Sequence, residues 1–315
     1  MNKSTRIPPL GALRMIKAND ILPDKYNTFG FDKGFFWQKT RQFFQGDSNY
    51  VQKVSYGDDI LLYIDSLAPK IDITLFDDNG NVVTVLISAM IPAIVLPGNV
   101  DSYYGYIYNT FMYNFNPETL ELADGYYYIV IEELYGDTGD TENTFVVSEC
   151  LLVKNGTFKK TMLLEYSHDI NNYDILFEGI TAGYLFNFRT EMILLPDDFA
   201  SDDTGFSDMN SDLVNLNSIP YRVFKLIVGA PYGAPDWVMD KVNRILSCSY
   251  IFIDGVRYIK NNGANWNLTK NEVTNLMSGT IQLREHDNQS GWEWNNSDDM
   301  GTARIFTSPY SLVFS

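Results

Sequence analysis

The sequence predicts a mainly β protein: two β-sandwich-like domains, the second with one amphipathic helix, behind an extended N-terminal arm. Three observations carry this. Aromatic residues make up 15% of the chain, with 21 Tyr and 20 Phe, and such side chains favour a pleated, half-buried surface. Short runs alternate apolar and polar residues with the period of a strand. Asn-Gly and Asp-Gly pairs punctuate those runs at Asn79-Gly80, Asp124-Gly125, Asn155-Gly156 and Asp254-Gly255, where hairpin turns need a positive φ.

Residues 1–30 read as an arm. Pro8, Pro9 and Pro23 interrupt it and no helical or strand period persists. The arm is basic within an acidic chain: Lys3, Arg6, Arg14, Lys17 and Lys25 face only Asp20 and Asp24. Basic and apolar together, it is expected to dock on a neighbouring subunit through Arg6, Leu10, Leu13, Arg14 and Ile16, the alternative being an arm that folds back onto its own domain.

Residues 31–155 read as the first sandwich. Its clearest unit is "KIDITLFDDNGNVVTVLI", where Ile71, Ile73 and Leu75 alternate before Asn79-Gly80 and Val83 and Val85 return after it. "DDNGN" lacks the later bidentate Glu of a calcium loop, so the turn reading is preferred. "DGYYYIVIEEL" and "TFVVSECLLVKNG" supply further strands.

Residues 156–315 read as the second β-rich domain. "TMLLEYS" and "YDILFE" are expected strands around a polar loop, and "YLFNFRTEMILLP" is a long strand. It is expected to end in an Asp-dense loop, "DDFASDDTGFSDMNSD", before the strand "YRVFKLIVG". The one helical period spans about 235–247, with Trp237, Val238, Val242, Ile245 and Leu246 on one face. Pro235 and Asp236 suit its first turn by fixed φ and by charge. A hairpin turning at Asp254-Gly255 follows, and "ARIFTSPYSLVFS" reads as a last strand.

A chain of 315 residues can bury a large core without disulfides. Cys150 and Cys248 fall in no metal-binding pattern and are expected to be free thiols. The formal charge of −17 argues against non-specific binding to nucleic acid, which needs clustered Lys and Arg. It is compatible with solubility, or with a ring whose acidic lumen lets DNA pass without sticking. The N-terminus lacks the apolar run of a signal peptide, and no stretch reaches the ~20 apolar residues of a membrane helix, so a soluble product made in the cytoplasm is expected.

The chemistry-bearing residue types do not assemble into a motif. His168 beside Asp169 could be an oriented base, but no nucleophile signature accompanies it and His286 is the only other histidine. "SHDINN" reads instead as a loop whose side chains bond their own backbone. The Asp197–Asp212 cluster has carboxylates but no coordinating spacing, and reads as a solvated loop. Trp292 and Trp294 beside Glu293, Asp298 and Asp299 carry the alternative reading, a glycan-binding face of a carbohydrate- or receptor-binding adhesin. No phosphate loop or dinucleotide fingerprint occurs, so no cofactor and no catalytic residue is expected.

Several stretches resemble virion proteins of phages and prophages of Bacteroides-type gut bacteria, crAss-like phages among them. These are "DGYYYIVIE" followed by Ser148-Glu149, "LEYSHDINN", the segment "PDWVMDKVNRILSC", and "IDGVRY". The similarity spans roughly residues 120–260, with a weaker echo in "FFWQKTRQFFQGD". It implies a structural subunit of a tail, neck ring or baseplate. Such a subunit would be made in the host cytoplasm, would lodge in the virion, and would assemble with itself and with other virion proteins.

Overall fold

The computed structural model describes residues 10–17, 51–90, 108–135, 144–170, 175, 185–207, 213–231, 233–270 and 276–286. Within them the protein is mainly β with one α-helix of ten residues, as expected.

The first half builds nine strands: β1 (Met15–Lys17), β2 (Gln52–Ser55), β3 (Ile60–Ser66), β4 (Lys70–Asp77), β5 (Val82–Met90), β6 (Asn109–Phe115), β7 (Gly125–Leu134), β8 (Thr144–Ser148) and β9 (Leu151–Lys154). β7 is the spine of a seven-stranded sheet. β4 and then β5 lie on one side of it. On the other side β8 pairs with Val130–Glu133 and β9 with Gly125–Tyr127, extended outward by β1 and by the parallel strand β2. The β4–β5 turn forms at Asn79-Gly80. The Asp77 carboxylate accepts the Asn79 and Asn81 amides, and Gly80 takes φ 74°, so the turn is held by its own side chains.

β3 and β6 form a separate antiparallel pair, and β3 is buried along its whole length. Its period of two sends side chains in opposite directions. Ile60, Leu62 and Ile64 join the first core with Ile71, Ile73 and Ile129; Leu61 and Tyr63 join the second core. β3 is therefore a shared wall between the two halves.

The second half contains β10 (Thr161–Ser167), β11 (Phe186–Ser207), β12 (Leu213–Val228), α1 (Asp236–Ile245), β13 (Tyr250–Ile253), β14 (Val256–Lys260), β15 (Asn267–Lys270) and β16 (Met277–Glu285). The order β12-β11-β10-β13-β14-β16 returns to its start because β12 also pairs with β16. The sandwich-like unit thus has its edges joined, which removes two of the exposed edges an open sheet must protect. Leu164, Tyr166, Phe186, Phe188, Leu226, Ile253, Ile281 and Leu283 fill its core. α1 starts at Pro235 and buries Val238, Met239, Val242 and Ile245. Gly279 permits that approach: a Cβ there would lie 2.4 Å from the Met239 Cε and 2.8 Å from Leu268. Asp254 and Gly255 turn the β13–β14 hairpin at φ 47° and 82°.

Two sequence expectations are corrected. The Asp-dense stretch is not a loop from Asp197 to Ser207, because β11 runs on there paired with β12 through two register shifts; 208–212 lie outside the described residues. Part of the N-terminal arm is also structured. β1 pairs with β8, and Leu10, Ala12 and Leu13 are buried in the chain's own two cores. The expected strands in 173–178 and 303–315 lie outside the described residues, save Ile175, which is buried.

Candidate assembly surface

β11 loses β10 after Glu191 and β12 loses β16 before Val223, so from Phe199 and Arg222 outward the two continue as a two-stranded ribbon. Its alternation is local and pleated. Phe199 shares a face with Arg222, and Ala200 with Tyr221, because those pairs sit directly opposite. Pro196 stands at a register shift and Pro220 in the two-stranded part, positions where a missing N–H is tolerated. Side chains tie the ribbon down at its root. The Gln282 amide donates to Asp197, and Arg284 pairs with Asp202 while stacking over Tyr221 at 4.4 Å. Ser218 and Ser201 both donate to Asp203, which lowers that carboxyl's pKa. The ribbon still presents large apolar side chains to solvent, with Phe199 80% and Ile219 52% exposed, and Leu195 at its root is 45% exposed. Isolated two-stranded ribbons are marginal in water, and this one also carries exposed apolar side chains.

A second feature is the seam between the halves. Asp58 receives two hydrogen bonds of 2.7 Å from Arg189, and also the Ser55 amide at 2.8 Å. Lys53 pairs with Glu191. The N-terminal strap closes the seam from the side. Leu10 inserts into the second core and its carbonyl accepts the Tyr166 hydroxyl, while Leu13 inserts into the first. Lys241, fully buried on α1, donates to the Gly11 and Ala12 carbonyls and lies 4.3 Å from the Phe188 ring centroid. Burial lowers its pKa to about 7, opposed by the Glu149 carboxylate.

Of the residues expected at an assembly interface, Leu10 and Leu13 are committed to the chain's own packing, so they face no neighbour in this fold. Arg14 lies over the Trp237 ring at 5.1 Å, another internal contact. Ile16 sits in β1 opposite Val147, and Arg6 lies outside the described residues. Trp292, Trp294, Glu293, Asp298 and Asp299 also lie outside them. The His168 Nδ1 faces the Ser249 hydroxyl at 2.7 Å and accepts the Asp169 amide, a loop-fixing arrangement. Cys150 and Cys248 are thiols not joined in a disulfide, and burial pushes the Cys248 thiol up to about 12. Among the described residues, no three His, Cys, Asp or Glu side chains cluster to hold a metal ion. No helix among those residues is long and apolar enough to cross a membrane.

The ribbon escaped sequence reasoning because Asp, Ser and Gly are poor strand formers. The signal available was the alternation of Phe199, Ser201 and Asp203 against Ser218, Pro220 and Arg222. Compared with known protein families, the chain matches none. No curated protein matches it either.

Proposed function

We propose that this chain is a structural subunit of a bacteriophage virion, a tail, neck-ring or baseplate component that assembles with itself and with other virion proteins. The observation that carries this reading is the β11–β12 ribbon. It projects from a well-packed body, exposes Phe199 and Ile219, and pairs with no third strand among the described residues. Such an element gains its stability from a neighbour, as assembly subunits do. The stretches that resemble virion proteins agree with it. They encode β7 in the first sheet, and β10, α1 and the β13–β14 hairpin in the unit from which the ribbon emerges. On this reading the chain acts by packing, without a catalytic step or cofactor. Its charge of −17 suits a ring whose lumen passes DNA without holding it.

The test is to purify particles from infected cells and quantify this chain by mass spectrometry, with labelled antibody locating it by electron microscopy. The expected result is a fixed copy number at the tail, neck or baseplate. Particles that lack the chain, yet infect normally, would overturn the proposal. A glycan array on the isolated protein separates the adhesin reading, which requires binding without any other virion protein.

A further inference from the structure

The partner of the ribbon can be argued from its chemistry. At its root Asp197 and Asp198 immediately precede Phe199, with Asp202 and Asp203 beyond; Arg222 sits opposite Phe199 and Arg284 pairs with Asp202. Four carboxylates against two guanidinium groups leave the surroundings of this exposed aromatic acidic. Such a surface would repel nucleic acid and anionic membrane alike. Its complement is an aromatic set in ammonium groups, and the same chain carries one. The connection from β9 to β10 holds the densest run of basic charge among the described residues: Lys154, Lys159 and Lys160 within seven positions. All three are exposed, and Lys154 lies 5.9 Å from the centroid of the half-buried Phe158 ring. "DDF" on the ribbon and "FKK" on the connection are opposite in charge and alike in their aromatic.

Among the described residues no hydrogen bond or ion pair joins these two surfaces within one copy. Thr161, which follows the lysines, pairs with Glu191, and β11 then leaves the closed sheet and runs onward. Phe199 stands eight residues past Glu191, about 25 Å along an extended strand. At 80% exposure the ribbon's aromatic is not covered by its own lysines.

We infer that the β11–β12 ribbon docks on a second copy of this chain, laying Phe199 and its flanking aspartates over the Phe158–Lys160 connection of that copy. This rests on the structural-subunit reading and names the partner. The two surfaces differ, so copies add head to tail and close into a ring where the rotation per step allows. The exposed aromatic supplies the apolar anchor, and the charges steer encounter and set register.

The experiment measures self-association of the full-length chain by analytical ultracentrifugation and native mass spectrometry, up to about 100 µM at about 50 mM salt, where screening is weak. The wild type is expected to associate, and more weakly as salt rises. Phe199→Ser should weaken association roughly tenfold or more, as loss of an interface anchor does. Asp198→Lys and Lys159→Glu should each weaken it, and the chain carrying both should recover. Circular dichroism and unchanged unfolding midpoints establish that each variant is folded. A wild type that stays monomeric overturns the inference. So does a Phe199→Ser chain that associates normally, or a double variant that fails to recover. The outcome is separable from the virion reading. A chain found in particles but monomeric alone loses this inference only, and a chain that associates this way but is absent from particles loses only the virion assignment.

Discussion

Replacing Lys241 by Met should change how stability depends on pH, and the structure sets the sign and size. Lys241 is fully buried, donates to the Gly11 and Ala12 carbonyls, and faces the Phe188 ring. Burial lowers its pKa from 10.5 to about 7. The unfolded chain therefore holds more protons than the folded one between pH 7 and 10.5. Stability conferred by this site rises with pH across that window, by about 1.4 kcal/mol per unit. A methionine at this position cannot titrate, so the wild type should gain about 2–3 kcal/mol on the variant between pH 7.5 and 9.5. Titratable groups that do not interact with this site are common to both chains and cancel in that difference. At neutral pH the substitution has two opposing effects. It removes a buried charge, and it strands the Gly11 carbonyl at a cost of about 1–3 kcal/mol, whereas the Ala12 carbonyl keeps the Gln52 amide. The assay is urea unfolding of both chains at half-unit pH steps. A difference that stays flat from pH 7.5 to 9.5 would refute the reasoning, because the lysine would then titrate alike in folded and unfolded chains.

Arg189→Ala should destabilise the protein by about 3–5 kcal/mol in urea unfolding, since it leaves the Asp58 carboxylate buried at the seam without its bidentate partner. Leu10→Ala should cost about 2–5 kcal/mol, as for any fully buried leucine, and an unchanged midpoint would show that the strap does not hold its place. Gly279→Ala should cost about 1–3 kcal/mol by driving a Cβ into Met239, and Met239→Ala in the same chain should recover part of it. Cys248 should resist thiol reagents at pH 8 until the protein is unfolded, because burial holds its pKa near 12; rapid labelling of the native protein at that residue would contradict this.

Local features were legible in the sequence and distant ones were not. Asn79-Gly80 and Asp254-Gly255 announce their turns because a hairpin turn needs those residues wherever the strands go. α1 was visible from its apolar period, yet Lys241 lies on the buried side of that period and passed as a polar interruption. Its reason for being there is a pair of carbonyls about 230 positions earlier, which no local window contains. Leu10 likewise looked available to a neighbour because Tyr166, its hydrogen-bond donor, is 156 positions away. The closure of β12 on β16 and the Asp58–Arg189 pair are non-local in the same sense. In β11, cross-strand pairing overrides weak strand propensity, so "SDDTG" is extended where its composition suggests a loop.

The strap also reverses the order in which the chain is made. Gly11 leaves the ribosome about 230 residues before Lys241. At ~5–20 residues per second the strap is exposed for roughly ten to fifty seconds before α1 exists to receive it. Leu10 and Gly11, in the first of the described segments to be synthesised, must therefore be among the last residues to dock. β1 and Leu13 meet strands of the first half that exist much earlier, whereas the second half stays unsealed until Leu10 arrives. A nascent chain stalled before α1 would display that opening, which makes the docked strap a marker that synthesis has passed the helix.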